Sequence, residues 1–122
     1  MAIGETVITI VGNLTADPEL RTTQSGKQVC NVTVASTPRI FDRQTNQWTD
    51  GQALFLRCTA WGGDFATHIA SSMSKGMRVI AQGRLTQRSW QDEQGANHTV
   101  IEMQLDEIGP SLRYATAQVT RI

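Results

Sequence analysis

Two stretches of this chain interleave aromatic rings with arginine on alternate positions: Phe55, Arg57 and Trp61 within Ala53–Trp61, and Arg84, Arg88 and Trp90 within Gly76–Trp90. In an extended strand, side chains two apart share a face and stand roughly 6.6–6.8 Å apart. Cations and rings at that pitch match a single nucleic acid strand, whose phosphates arginine neutralises and whose unpaired bases stack on aromatics at about 1–3 kcal/mol per base. Charge is distributed to suit. Eleven acids balance 11 bases in the whole chain, yet no acid occurs from Phe65 to Gln91, nor from Leu20 to Phe41, which carries Arg21, Lys27 and Arg39. A zero net charge argues against binding a polyanion through bulk charge, so the local patch has to do it. The residues predict a groove for single-stranded DNA.

Each residue taken singly has a plainer reading. Phe55 or Trp61 alone is more often a core or subunit-contact side chain, and Arg84 or Arg88 more often a solvated strand face; the same interleaving on two strands favours the groove. Trp48, in a connecting segment, can also simply cover a barrel edge. Other chemistry finds little support. His68 and His98 have no carboxylate or cysteine at metal-ligand spacing, so no metal site is expected. Asp106 and Glu107 are adjacent and point to opposite faces of a strand, which is poor material for acid–base catalysis. No phosphate-binding glycine loop of the Walker type occurs. Cys30 and Cys58 are too few for a disulfide framework and read as small buried residues of a reducing compartment. With no signal-peptide pattern and no run of about 20 apolar residues, a soluble, intracellular, cytoplasmic protein without a membrane partner is expected.

The elements that must hold these residues follow from periodicity. Thr6–Val11, Val29–Thr37, Ala53–Trp61, Gly76–Trp90 and Thr99–Leu105 alternate as strands, with a short extended piece at Leu20–Thr23. Arg39–Gly51 reads as a polar connection with a solvated tip at Thr45–Gln47. Phe65, Ile69 and Met73 recur every fourth residue between Asp64, a candidate cap, and Lys75–Gly76, a candidate stop, so one helix lies between the third and fourth long strands. Gly109–Pro110 separates a last extended piece, Leu112–Val119. Three strands, a helix and two strands is the order of the OB-fold, a five-stranded Greek-key barrel. The expected class is all-β with one helix and an extra C-terminal strand. Residues 1–108 form the binding domain and residues 109–122 a C-terminal extension. At 122 residues the domain has little apolar area to spare, which makes a homo-oligomer plausible.

Four ordered segments, VGNLTADPELR (Val11–Arg21), GKQVCNVTVAS (Gly26–Ser36), ALFLRCTAW (Ala53–Trp61) and KGMRVIAQGRLTQRSW (Lys75–Trp90), closely resemble the bacterial single-stranded DNA-binding protein family. DEIGPSLRYATAQVTR (Asp106–Arg121) resembles its actinobacterial branch, in which the strand after the barrel clamps neighbouring subunits. The resemblance implies a nucleoid-associated homotetramer that coats single-stranded DNA during replication, recombination and repair, with no catalytic activity and no required cofactor. By motif, the family's stacking rings fall on Phe55, Trp61 and Trp90 and its cations on Arg21, Arg57, Lys75 and Arg88. A further family tryptophan falls at Ile40, which brings in its neighbour Phe41. Two positions that are basic in some members are Thr86 and Ser89. The family usually ends in a flexible tail whose acidic tip recruits replication and repair enzymes; residues 1–122 contain none, implying either a binding core of a longer protein or a tailless form. Such partners are expected only of a longer form. An alternative is an OB-fold interaction subunit of a primosomal complex, against which the aromatics on both strands argue. A cold-shock-type RNA module lacks support because Thr6–Val11 has no ring.

Overall fold

Apolar side chains at every second position of five long strands have one way to leave water together, which is to close the sheet on itself. The computed structural model describes residues 3–122. Its elements are β1 (Thr6–Leu14), β2 (Glu19–Thr22), β3 (Gln28–Ser36), β4 (Arg39–Asp42), β5 (Gln47–Asp50), β6 (Leu54–Trp61), α1 (Gly63–Ser72), β7 (Arg78–Gln91) and β8 (Asn97–Pro110). The main sheet runs β1-β7-β8-β6-β3-β2, and a β1–β3 pairing at Asn13↔Ala35 and Leu14↔Val34 closes five strands into a ring with β2 outside it. This is the expected barrel, with its helix between the third and fourth long strands.

Inside the ring lie Ile10 and Leu14 of β1, Cys30, Val32 and Val34 of β3, Leu56, Cys58 and Ala60 of β6, Val79 and Ala81 of β7, and Met103 and Leu105 of β8. Ala66 and Ile69 of α1 and the following Met73 join the same cluster, so the helix plugs one end. Closure demands two glycines. A Cβ on Gly12 would collide with the carbonyl oxygen of Ala35, where β1 turns from β7 to β3, and one on Gly83 with that of Gln104. Gly83 adjoins an irregularity in the β7–β8 ladder, which pairs Gln82 with Glu107 but Gly83 with Leu105, leaving Asp106 as the extra residue of a bulge.

Several boundaries differ from expectation. Arg39–Gly51 is a hairpin, β4 paired with β5 in the register Arg39↔Asp50 to Asp42↔Gln47, because Ile40, Phe41, Trp48 and Thr49 are strand formers and Asn46 accepts a left-handed φ of 57° at the tip. Asp64 does not cap α1; Gly62 takes that position without a side-chain bond, and Asp64 lies in the first turn, where its charge meets the positive end of the helix dipole. The helix ends at Ser72 with Met73 as its cap, while Gly76 serves the next turn, with φ 86° and its N–H donating to Leu14 O at 2.9 Å. β8 continues through Gly109 to Pro110, which costs no ladder bond as the last residue of the strand, opposite Val79. Leu112–Val119 has no ladder partner within the single chain. In that segment Arg113 and Arg78 lie 5.9 and 5.5 Å from the Tyr114 ring, and the bond and charge of Arg113, aided by Arg78, hold the phenol below its ordinary value. Among the described residues no helix is long and apolar enough to cross a membrane.

Cys30 and Cys58 are free and fully buried on neighbouring strands, where Cys30 faces Ala60 and Cys58 faces Val32. That diagonal separates Cβ atoms by roughly 7 Å, against about 3.8 Å in a disulfide. Burial raises both thiols, Cys58 to about 12. A raised acid stays protonated in the fold while the unfolded chain ionises, so stability is full below the ordinary value of 9.0 and falls as pH rises towards about 12. Urea midpoints should therefore decline in that window, and Cys58→Ala should flatten the decline; an unaltered pH profile would assign it to other groups.

Candidate nucleic-acid interface

The two strands that carry the expected groove are not neighbours. β8 lies between β6 and β7, pairing antiparallel with β7 and parallel with β6 at Cys58↔Met103 and Thr59↔Gln104. Strands sit about 4.8 Å apart, so β6 and β7 are separated by roughly 10 Å across β8. The odd residues Thr99, Ile101, Met103 and Leu105 of β8 alternate with His98, Val100, Glu102 and Gln104, which share the outer face with Arg84, Thr86, Arg88 and Trp90 of β7 and with Phe55, Arg57, Thr59 and Trp61 of β6.

Arg84, Arg88 and Trp90 on β7, and Trp61 on β6, are each met by a side chain on β8. The Trp61 indole Nε1 donates to Gln104 Oε1 at 2.9 Å, which orients the ring on a surface where it is 49% exposed. Arg88 directs Nε and Nη2 onto the single oxygen Glu102 Oε1 at 3.1 and 2.9 Å, and its guanidinium carbon also sits 4.7 Å from the Trp90 ring centre. Trp90 stacks on its cross-strand partner His98, centroids 5.3 Å apart and planes 20° from parallel. His98 Nε2 lies 2.8 Å from Asp92 Oδ2; that bond, with the Ala96 N–H, holds the half-buried Asp92 carboxyl below its ordinary value. Arg84 Nε stands 3.2 Å from Asp106 Oδ1 without an aligned hydrogen bond, and its Nη1 lies 3.5 Å from Glu5 Oε2.

The acid-free stretch of sequence therefore acquires acids in three dimensions. Arg84 and Arg88 are both ion-paired, as is Arg39 to Asp50 at 3.3 Å, whereas Arg21, Arg57 and Lys75 make no ion pair among the described residues. Thr59, placed on the open face by alternation, is only 6% exposed and donates to Asn31 Oδ1 on β3 at 3.0 Å. Arg21 is exposed on β2 opposite Val29. On the hairpin, Phe41 and Trp48 are register partners with ring centres 5.3 Å apart, so these two residues make one exposed aromatic pair. Lys75 lies apart from the row, in the turn after α1. Its N–H donates to Asp17 Oδ1 at 2.8 Å, and it lines a cleft of about 1220 Å³ with His68, Arg78 and Tyr114.

Sequence reasoning passed over the outer face of β8. The signal was present, since the alternation that assigns Met103 and Leu105 inward also assigns His98, Glu102 and Gln104 outward. Only the pairing reveals which side chains they meet. Among the described residues no group of three His, Cys, Asp or Glu is placed to hold a metal ion.

Comparison with known proteins agrees with this architecture. The model of the single-strand binding protein family matches residues 6–111. A single-stranded DNA-binding protein of Bifidobacterium longum is 72% identical over 118 residues, covering 97% of this chain and 54% of its own, and one of Mycobacterium tuberculosis is 63% identical with 97% and 71% covered. The chain thus spans about half the length of the first relative. The small single-stranded DNA-binding protein from Streptomyces coelicolor, in its crystal structure, superposes with TM-score 0.76 at 32% identity, over 90% of this chain and 97% of that one. A Plasmodium falciparum SSB in complex with ssDNA has TM-score 0.75 at 21% identity, over 91% and 99%, a likeness of fold alone. With the family model covering the barrel from β1 to Ser111 and relatives of this identity on either side, the chain belongs to the single-strand binding protein family.

Proposed function

We propose that this chain binds and coats single-stranded DNA with little sequence preference, stacking bases on Trp61, Trp90 and Phe55 and on the Phe41–Trp48 pair, and neutralising phosphates with Arg57, Arg21, Arg88 and Arg84. The carrying observation is the row of rings, 41 to 64% exposed, and arginines across one outer face of β6, β8 and β7 and the adjoining hairpin. An apolar ring left half in water beside a cation is costly to display without a ligand, and a base face suits both. The relatives' name, single-stranded DNA-binding protein, supports this reading, and roles in replication, recombination and repair belong to the same proposal. The function is binding without catalysis or cofactor. Lys75 and Arg39 extend the path of the strand beyond the row.

Self-association into a homotetramer belongs to the same proposal. Val11 of β1 and its register partner Ile80 of β7 leave apolar surface on the outer face away from the row, at 38 and 46% exposure, and Val7, opposite Arg84, connects this surface to the row. Residues 109–122 serve as a clamp between subunits, and replication or repair enzymes join only through a tail in a longer form. The location is the cytoplasm, on the nucleoid.

The test is a tryptophan-fluorescence titration with oligothymidine at low and high salt, against duplex DNA of equal length. Quenching by the single strand and much weaker response to the duplex are expected; no quenching and no binding at low salt would transfer the aromatic face to a protein contact. Salt adds a finer prediction. Each phosphate neutralised on a single strand contributes about −0.7 to the slope of log K against log salt. Arg57→Gln should remove about that much. Arg88→Gln should remove less, because Glu102 already neutralises this arginine and must regain a counterion when a phosphate replaces it. Equal losses would mean that Glu102 stays out of the exchange.

A further inference from the structure

Where β8 ends, the chain folds back beside the start of β7 and gathers cations around one ring. Pro110 stands opposite Val79, and the Ser111 N–H donates to Arg78 O at 2.8 Å, so the C-terminal extension begins directly against Arg78. Alternation puts the Arg78 side chain outside the barrel, because its neighbour Val79 is fully buried inside. The Arg113 N–H then donates to Ser111 Oγ at 3.3 Å, and the ring centre of Tyr114 lies 5.5 Å from the Arg78 guanidinium and 5.9 Å from that of Arg113. This ring is 78% exposed. Tyr114, Arg78, Lys75 and His68 line the cleft of about 1220 Å³, and among the described residues no aspartate or glutamate lines it. Lys75, Arg78 and Arg113 make no ion pair among the described residues, and Arg78 Nε is buried without a partner. Two negative contributions stand nearby. Asp17 Oδ1 accepts from the Lys75 backbone N–H at 2.8 Å, and the C-terminal end of α1 adds about half a negative charge. Three full positive charges outweigh both.

The cleft exceeds the roughly 300–1,000 Å³ of small-molecule pockets and suits a length of polymer. An acidic peptide would neutralise the cations; a nucleic acid strand does so too and also brings a base for the ring with every phosphate. The surroundings favour the strand. After the bond and charge of Arg113 and the charge of Arg78, that of Arg39 also helps to hold the phenol below its ordinary value, so the β4–β5 hairpin carrying Phe41 and Trp48 is within electrostatic reach of Tyr114. Resting on the single-stranded DNA reading, we propose that Tyr114, Arg113 and Arg78 form a second contact for the strand beyond the row, a base stacking on Tyr114 while adjoining phosphates meet the two arginines. The DNA passes the hairpin and enters the cleft, and Lys75, which lies apart from the row, belongs to this second contact. The extension thus binds DNA as well as clamping subunits, for which its exposed apolar residues Leu112 and Val119 remain.

Tyr114→Leu removes the ring and keeps an apolar side chain, Tyr114→Phe keeps the ring, and Arg113→Gln removes one exposed charge. Affinity for an oligothymidine of about 30 nucleotides, longer than the roughly 4–16 that one OB-fold covers, would be measured on the full chain across a range of salt, with assembly followed by sedimentation. Tyr114→Leu is expected to lose about fivefold or more, and Tyr114→Phe to recover most of that loss. Arg113→Gln should make the slope of log K against log salt shallower by about 0.7. Parental affinity in Tyr114→Leu together with a parental slope in Arg113→Gln would overturn this inference and leave the row intact. Should Tyr114→Leu disturb assembly, Arg113→Gln decides alone, and an unchanged slope overturns the inference. Loss of binding to an oligoglutamate peptide in Arg113→Gln, with none to oligothymidine, would give the cleft to an acidic protein segment instead. A parent that binds no oligothymidine at low salt would overturn the single-strand reading as well.

Discussion

Trp61→Ala is expected to weaken oligothymidine binding by about 1–3 kcal/mol, roughly five- to 150-fold, while the variant melts near the parent's temperature. The expected loss of stacking is large because the ring stands 49% exposed, shares its strand face with Arg57 and is held in place by Gln104. The expected loss of stability is small because Trp61 is absent from the buried cluster inside the barrel, and its removal returns Gln104 Oε1 to water. Trp90→Ala should cost less. Arg88 at 4.7 Å and His98 at 5.3 Å already contact the Trp90 ring, so a base must displace or share with them to stack there. Fluorescence anisotropy with labelled oligothymidine, together with thermal melts, measures both quantities. A Trp61→Ala protein that unfolds or loses self-association would show this ring to be a structural contact.

Met103→Ala is expected to do the reverse, destabilising the fold by about 2–5 kcal/mol and lowering Tm by roughly 10 °C or more, with little change in affinity while the protein remains folded. Met103 is fully buried and sits opposite Leu85 of β7 and beside Cys58 of β6, where three strands of the ring meet, so its truncation leaves a cavity that backbone on both sides keeps open. Its chain neighbours Glu102 and Gln104 point the other way, towards Arg88 and Trp61. The pair of substitutions therefore tests whether β8 divides its labour by parity, with odd residues holding the barrel and even residues holding the site. Should Met103→Ala lose affinity at temperatures well below its melting transition in proportion to its lost stability, core and site would be one unit.

The hairpin and the ion pairs mark the limits of a reading by pattern. Arg39–Gly51 looked like a connection because its strands are four residues each, too short for alternation to stand out, and only their mutual register reveals Phe41 and Trp48 as one pair. Arg84 and Arg88 looked free because the acids that meet them, Asp106 and Glu102, lie 22 and 14 residues away in sequence. Thr59 shares a face with Arg57 and Trp61 yet is buried, because alternation assigns a face without saying what covers it.

What the sequence by itself determined is the local half of this protein: where the long strands and the helix form, which side chains share a face, and that rings and arginines interleave on β6 and β7. That information is complete in the chain because a strand's period of two and a helix's of 3.6 are properties of the backbone, whatever it later touches. What only the tertiary structure decided is who meets whom: that β8 stands between the two strands of the row, that Glu102 and Asp106 temper the arginines, and that Gln104 steers Trp61. Pairing is chosen by closure of the whole barrel, which depends on distant strands burying their apolar faces together, and no local period records that choice.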